Sequence, residues 1–447
     1  MSLKGFILVV VIWPLAPSFS AAQSGPETVL HRFVDGKDAE LPAGLVFDRR
    51  WNLYGTTGQG GTGICQSFLP GCGNIFEATP VRDLSGTISW QKKVIYEFQG
   101  GNDDGAGPYA PPVVDVSGNL YGTTENGGGT GCGGVGCGTI FQLSWQNEKW
   151  VETVLYKFTG GSDGGTPESS VLLDKAGNIF GTTFNGGLTD CGQGFPCGVV
   201  YELKHTQSGW VESVLHRFKP ADGVQPMGGL VMDKAGNLYG TTPFRGLGDE
   251  YEIAGTIFEL SPTRSGWSFQ VLYSFPPGDG GPYAGLTIDA TGNLYGTTNS
   301  GGIYGSGSVF ELQRPAQQGA DWVFTNLLSF DYLDGAGPAA GVVFDAAGNL
   351  YGTTGGGGTA QSCNNFYPCG VVFELSPSNG EWTENVLYNF QGVTDGEYPN
   401  STPVLDPWGN VYGTTKYGGD PNCVPFPNYS GCGTVFRISH TAPPEQP

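Results

Sequence analysis

Residues 229–242 read Gly229-Leu230-Val231-Met232-Asp233-Lys234-Ala235-Gly236-Asn237-Leu238-Tyr239-Gly240-Thr241-Thr242. Two short runs rich in apolar, aromatic and β-branched residues flank Asp-x-x-Gly-Asn, which reads as strand, tight turn, strand. Asp can bond its own backbone two residues on, and Gly and Asn tolerate positive φ. The final tetrapeptide, Tyr-Gly-Thr-Thr or its Phe variant, begins at Tyr54, Tyr121, Phe180, Tyr239, Tyr295, Tyr351 and Tyr412. The spacings are 67, 59, 59, 56, 56 and 61 residues. A period of this size means one supersecondary unit repeated seven times.

Each unit carries four strand signals. In the fourth these are Val214–Phe218, Gly229–Asp233, Asn237–Thr242 and Gly255–Leu260. Nothing between them has the 3.6-residue period of an amphipathic helix. Seven such units predict an all-β, seven-bladed β-propeller of four-stranded antiparallel blades. Small residues before the Asp (Gly44, Ser169-Ser170, Gly228-Gly229, Gly285, Gly341) suit the crowded strand nearest the axis, which puts the Val-Leu-x-x-Phe strand outermost. The mature chain then opens on an outer strand, Val29 to Phe33, which must complete the last blade and remove two sheet edges. The turn at Asp48-Arg49-Arg50-Trp51-Asn52 has Trp where other units have Gly, so it is expected to be strained or reshaped. Trp90, Trp150, Trp210, Trp267, Trp322 and Trp382 precede outer strands by about four residues. Their recurrence reads as packing at a blade edge rather than as a row of sugar-stacking rings.

Residues 1–22 read as a secretory signal peptide: a basic start at Lys4, an apolar run from Gly5 to Ala16, and Ser20-Ala21-Ala22 before the cut. The propeller is expected over 23–440 and a flexible tail over 441–447. No later stretch has the apolar length of a membrane span, and a secreted protein, extracellular or periplasmic and without a C-terminal anchor, is expected. The net charge of −21 opposes binding to nucleic acid or an anionic membrane. Gly, 77 of 447 residues, shows no three-residue period, and 13% aromatics argue against disorder.

Ten cysteines fall in five local pairs between third and fourth strand signals of the chain's units: Cys65 with Cys72, Cys132 with Cys137, Cys191 with Cys197, Cys363 with Cys369, and Cys423 with Cys432. Thiols of an exported chain should be oxidised, and each pair is expected to staple its own loop. Varied spacing and only four histidines speak against a metal, and no cofactor is expected. Units four and five lack the staple. Their loops carry Arg245, Asp249, Glu250, Glu252 and Tyr304, candidate ligand residues at a break in the repeat.

An Asp precedes each inner strand: Asp38, Asp104, Asp163, Asp222, Asp279, Asp334 and Asp395. These connectors should share a face with the cysteine loops, where seven carboxylates could ring the channel mouth and hold a cation or orient a sugar. Asp-Gly turn chemistry accounts for the same residues, and the dense spacing of a calcium loop is missing. No Gly-x-Ser-x-Gly elbow or clustered histidine suggests a nucleophile, and no catalytic residue is assigned.

Gly341-Val342-Val343-Phe344-Asp345 through Tyr351-Gly352-Thr353-Thr354, followed by Cys369-Gly370-Val371-Val372-Phe373-Glu374-Leu375, resembles the bacterial GloVer tandem repeat of choice-of-anchor repeat proteins. The likeness covers nearly the whole mature chain. It implies an exported, β-propeller-like bacterial protein, often anchored at its C-terminus, and brings no established activity or catalytic residues. The Asp-x-x-Gly-Asn-Leu-Tyr turn is more distantly similar to NHL-type repeats. A monomeric, non-catalytic module that binds an extracellular polysaccharide or a surface protein is the leading expectation. A polysaccharide hydrolase or lyase with acids at the channel mouth is the rival, and a purely structural surface protein the third reading. A carboxylate pair facing the channel and lacking repeat equivalents would favour the enzyme.

Overall fold

The computed structural model describes residues 27–439, except 35–37, 39, 66–70, 84–87, 189–190, 192–195, 248–249, 253, 318, 361–362, 364–368, 393 and 425–429. The expected signal peptide and tail lie outside the described residues.

Seven four-stranded antiparallel sheets form the blades of a β-propeller. Blade 1 runs outward from the axis through Glu40–Phe47, Leu53–Gln59, Asn74–Arg82 and Ile88–Glu97. Blades 2 to 6 repeat this order, with inner strands at Val113–Val114, Leu172–Leu173, Val231–Met232, Thr287–Ile288 and Val343–Phe344. Blade 7 takes Val404–Leu405, Val411–Thr415 and Thr434–Ile438 from the chain's end, and its outer strand is Glu27–Arg32. The clasp joins by the same ladder as elsewhere: Phe33 N–H donates to Gly433 O, as Phe98 N–H does to Gly73 O. Most outer strands begin earlier than their sequence suggested, because the Trp lies inside the hairpin; Lys149–Lys157 pairs Trp150 with Trp145.

The tetrapeptide is explained atom by atom. Its Gly faces the aromatic ring directly across the ladder, and a Cβ on Gly240 would lie 2.5 Å from Phe258 Cζ. Its first Thr bridges blades: Thr56, Thr123, Thr182, Thr241, Thr297 and Thr353 hydroxyls donate to carbonyls of Ala110, Ser169, Gly228, Ala284, Ala340 and Ser401 in the next blade. Its second Thr bonds within the blade, as Thr124 does with Thr139 at 2.8 Å. Its aromatic residue packs on the Trp of the next blade, with ring centroids 6.0 Å apart for Tyr54 and Trp150 and 5.8 Å for Tyr412 and Trp90, across the closure.

Burial is concentrated between blades. Seven hydrophobic clusters occur, one at each seam. Each joins the Phe that ends one outer strand to the ring on the third strand of the next blade, as in Phe98–Phe141 at 5.2 Å and Phe390–Phe436 at 5.0 Å. A buried Phe contributes about 2–3 kcal/mol by area alone, so the ring is held by its seams.

The meander assigns two faces. Turns between first and second strands and hairpins between third and fourth lie on one. Loops between second and third strands and the connectors between blades lie on the other, as expected. On the turn face, every Asp-x-x-Gly-Asn Asp accepts from the backbone two and four residues on and from the Asn side chain, as Asp233 does with Ala235 and Asn237. Asp48 makes the same bonds. The Trp51 turn therefore keeps the common shape, with Trp51 at φ 65° where Gly118 and Gly236 have 87° and 88°. That conformation is disfavoured for a residue with a Cβ.

Candidate functional site

All ten cysteines pair as five disulfides in the expected combinations, with Cα–Cα distances of 5.2–5.7 Å. The staples fix loops on the connector face. In blade 4 the unstapled loop forms its own ribbon, Arg245–Leu247 with Glu250–Glu252. Asp249 and the side chains of Arg245, Glu250 and Glu252 lie outside what is described. In blade 5 the loop is closed by a bridge between Gly301 and Ser306 and presents Tyr304, 63% exposed.

The seven connector aspartates do not line the channel. Six of them accept hydrogen bonds from the outer strand or from their own turn. Asp104 accepts from Tyr96 Oη at 3.0 Å and from the N–H groups of Gln99 and Gly105. Asp163 accepts from Tyr156 and Thr159, and Asp395 from Tyr388 and Gln391. Asp38 and Asp222 face His31 and His216 at 2.9 Å. Asp334 accepts from Asp331 N–H at 2.8 Å, and Asp279 N–H donates to Pro276 O. Burial opposes ionisation of Asp38, yet hydrogen bonds from His31 and Lys92 and the charge of Lys92 hold its carboxyl at about 2. Burial pushes Asp104 upward.

The axial channel opens into a cavity of ≈ 580 Å³ lined by all seven blades. Its wall is mostly main chain and small side chains, including Ala43, Ala110, Ser170, Gly229, Gly285, Gly341 and Ser401. Larger side chains reach it from two positions of the unit. One follows the Thr-Thr, where the backbone N–H donates to a connector carbonyl: Glu125 to Gly107 at 2.9 Å, Phe184 to Thr166, Asn299 to Gly281, Gly355 to Gly337, Lys416 to Tyr398 at 3.1 Å. The other follows the connector Pro and holds Ala43, Tyr109, Glu168, Met227, Tyr283, Ala339 and Asn400. The frame is common and the side chains are not. Blades 2 and 3 place Tyr109, Glu125 and Glu168 in one wall, and blade 7 brings Lys416 to the same cavity.

Tyr109, Glu125 and Glu168 act on one another electrostatically. Burial, then the charge of Glu125, raises the Glu168 carboxyl to about 7. Burial also raises Glu125, against a hydrogen bond from Asn126. Burial, with Glu125 next, pushes the Tyr109 phenol up to about 12. Burial pulls the Lys416 ammonium down; it lies 5.7 Å from the Tyr417 ring centroid. Near neutral pH such a wall both donates and accepts hydrogen bonds. Glu125 and Glu168 are therefore a carboxylate pair without repeat equivalents, facing the channel. Sequence reading passed them over because each sits in a loop among many acids; aligning the seven units position by position marks both.

A seven-bladed propeller with a stapled-loop face and a polar channel mouth is the class of protein that fold and site define. The model of the Gloeobacter/Verrucomicrobia repeat matches residues 18–195, 66–282 and 193–425. The chain belongs to that repeat family. No curated protein sequence matches it. Among solved structures, a protein of unknown function from Dyadobacter fermentans is similar at 10% identity and TM-score 0.43, over 94% of this chain and 99% of that one. An ancestral GH74 enzyme is similar at 11% and 0.49, over 89% and 55%. Pseudomonas fluorescens PhoX in complex with vanadate, a transition state analogue, is similar at 11% and 0.48, over 93% and 95%. Likenesses this distant carry no argument about function. No helix among the described residues is long and apolar enough to cross a membrane.

Proposed function

We propose that this is a secreted glycan-binding propeller whose ligand seats in the channel mouth against Tyr109, Glu125, Glu168 and Lys416. One observation carries the reading: Glu125, Glu168 and Lys416 depart from the repeat at positions whose backbone frame recurs, and they line one cavity with Tyr109. Concave sites with a few convergent polar groups and perturbed carboxyls are where ligands bind, and sugar hydroxyls match a wall that donates and accepts. The five disulfides and the leader-like residues 1–22 support export.

A second reading is favoured by the carboxyl pair. Glu168, raised to about 7, suits a general acid, and Glu125 a base or nucleophile, the two roles that glycoside cleavage needs. The mature protein should be incubated with a panel of polysaccharides and scored for retention and for product release. Retention without release supports the binding module. Release abolished by Glu125→Gln or Glu168→Gln makes the protein an enzyme, and retention on no glycan removes both readings.

A further inference from the structure

The position one blade's outer strand presents to the preceding connector Asp is filled in three ways. In blade 1 it is Lys92, which lies opposite Ala78 in the ladder. Lys92 Nζ donates to Asp38 Oδ1 and, at 2.6 Å, to Asp38 O. In blades 4 and 5 it is Phe269 and Phe324, stacked on His216 and Tyr273 at 3.7 and 4.4 Å. In blades 2, 3, 6 and 7 it is Glu152, Glu212, Glu384 and Glu27, each with a buried Oε1 that has no hydrogen-bond partner among the described residues.

Three of these four acids meet an Asp whose Oδ1 is already engaged. Asp104 Oδ1 accepts from Gly105 N–H, Asp163 Oδ1 from Thr159 Oγ1 and Asp334 Oδ1 from Asp331 N–H. The seam between blades 6 and 7 differs. Asp395 is 7% exposed, its Oδ2 accepts from Tyr388 Oη at 2.8 Å and Gln391 N–H at 2.8 Å, and its Oδ1 has no partner among the described residues. Asp38 matches it atom for atom: Oδ2 accepts from His31 and Val34 N–H, and Oδ1 takes the Lys92 ammonium. Where blade 1 supplies a cation, blade 7 supplies Glu27, opposite Ile438 in the equivalent register.

We propose that the blade 6–7 seam is a binding site for a hard divalent cation of the calcium type, held by Asp395 Oδ1, Glu27 Oε1 and the Asp395 carbonyl in the place that Lys92 Nζ occupies at Asp38. Oxygen donors are what such an ion takes. The charges around the site are those of Glu27, Asp395, Glu397 and Arg32. Arg32 is already committed, its Nε donating to Thr394 O at 3.0 Å. Glu27 stands on the clasp strand, so the ion would fasten the N-terminal strand to the last connector.

The test uses the full mature chain, stripped with EDTA and titrated with terbium at pH 7.5 under tyrosine excitation, since Tyr388 lies against Asp395. Melting is followed at pH 8 in EDTA and in calcium chloride. The expected result is one terbium per chain, displaced by calcium, and a melting temperature raised by about 2 °C or more with calcium. Glu27→Lys, which copies blade 1, should abolish terbium uptake and melt alike in EDTA and calcium; Asp395→Asn should also lose the uptake. No terbium uptake by the wild type overturns the proposal, as does uptake that survives in Glu27→Lys. A wild type whose melting at pH 8 ignores calcium also overturns it.

Discussion

Tyr54 of blade 1 meets Trp150 of blade 2 edge-on, with ring centroids 6.0 Å apart. The pair recurs around the ring as Phe180–Trp267, Tyr239–Trp322, Tyr295–Trp382 and, across the chain closure, Tyr412–Trp90. It belongs to the seam rather than to a ligand site. Trp150→Ala should therefore lower stability by about 3 kcal/mol and leave ligand retention unchanged. Denaturant unfolding checks the first point, and a loss well under 1 kcal/mol would show that the indole is not a seam anchor.

The Gly of the tetrapeptide is required by a ring, not by backbone conformation. A Cβ on Gly122 would lie 2.6 Å from Phe141 Cζ, and Thr-Thr beside it keeps an ordinary strand. Gly122→Ala should cost about 1–3 kcal/mol through overpacking. Adding Phe141→Leu should recover part of that loss in a double-mutant cycle; strictly additive losses would mean the ring is not the obstacle.

Trp51 holds φ 65° and packs on Phe47 at 5.4 Å and Trp408 at 6.2 Å. Replacement by Ala loses the packing and keeps the strain, whereas Gly loses the packing and removes the strain. Trp51→Gly should therefore be more stable than Trp51→Ala by about 1 kcal/mol. Equal stabilities in thermal melts would show that this turn does not pay for its side chain.

Four seam acids give the propeller a pH dependence. Burial, with the neighbouring Asp next, raises Glu27 and Glu212 to about 7, Glu152 to about 8 and Glu384 to about 9. Their folded values exceed the unfolded one, so the stabilisation they allow is complete below about 4.5 and is lost as pH rises through 7 to 9. In EDTA the melting temperature should fall from pH 6 to pH 9. Glu384→Gln, which cannot ionise beside Asp331 and Asp334, should show a smaller fall than the wild type. A melting temperature that rises over this range would contradict the assignment.

The ring was legible in the sequence because its cause is repeated. Gly240 faces Phe258 and Asp233 closes its turn in every unit in kind, and Thr241 reaches Ala284 as five other units do, so the period carries the architecture, down to the N-terminal clasp. The candidate acids were legible as residues, but their direction was not. Asp38 to Asp395 recur in every connector, but sequence order cannot say which way a loop side chain turns. Tyr96, Tyr156, Tyr388, His31 and His216 on the outer strands draw five of these carboxylates away from the axis. Glu125, Glu168 and Lys416 carry no motif. They reach the channel because the frame that aims them there is built by other residues, and that frame is a three-dimensional fact.

The most direct test of the channel-mouth site is calorimetric titration of an oligosaccharide from the best-retained polysaccharide into four proteins. These are the wild type, Glu168→Gln, Lys416→Ala and Asp279→Asn. Loss of at least about tenfold in affinity for Glu168→Gln and Lys416→Ala, about 1.4 kcal/mol, with Asp279→Asn unchanged, is the expected result. Affinity lost in Asp279→Asn and kept in the other two would move the ligand to the connector acids and contradict the account.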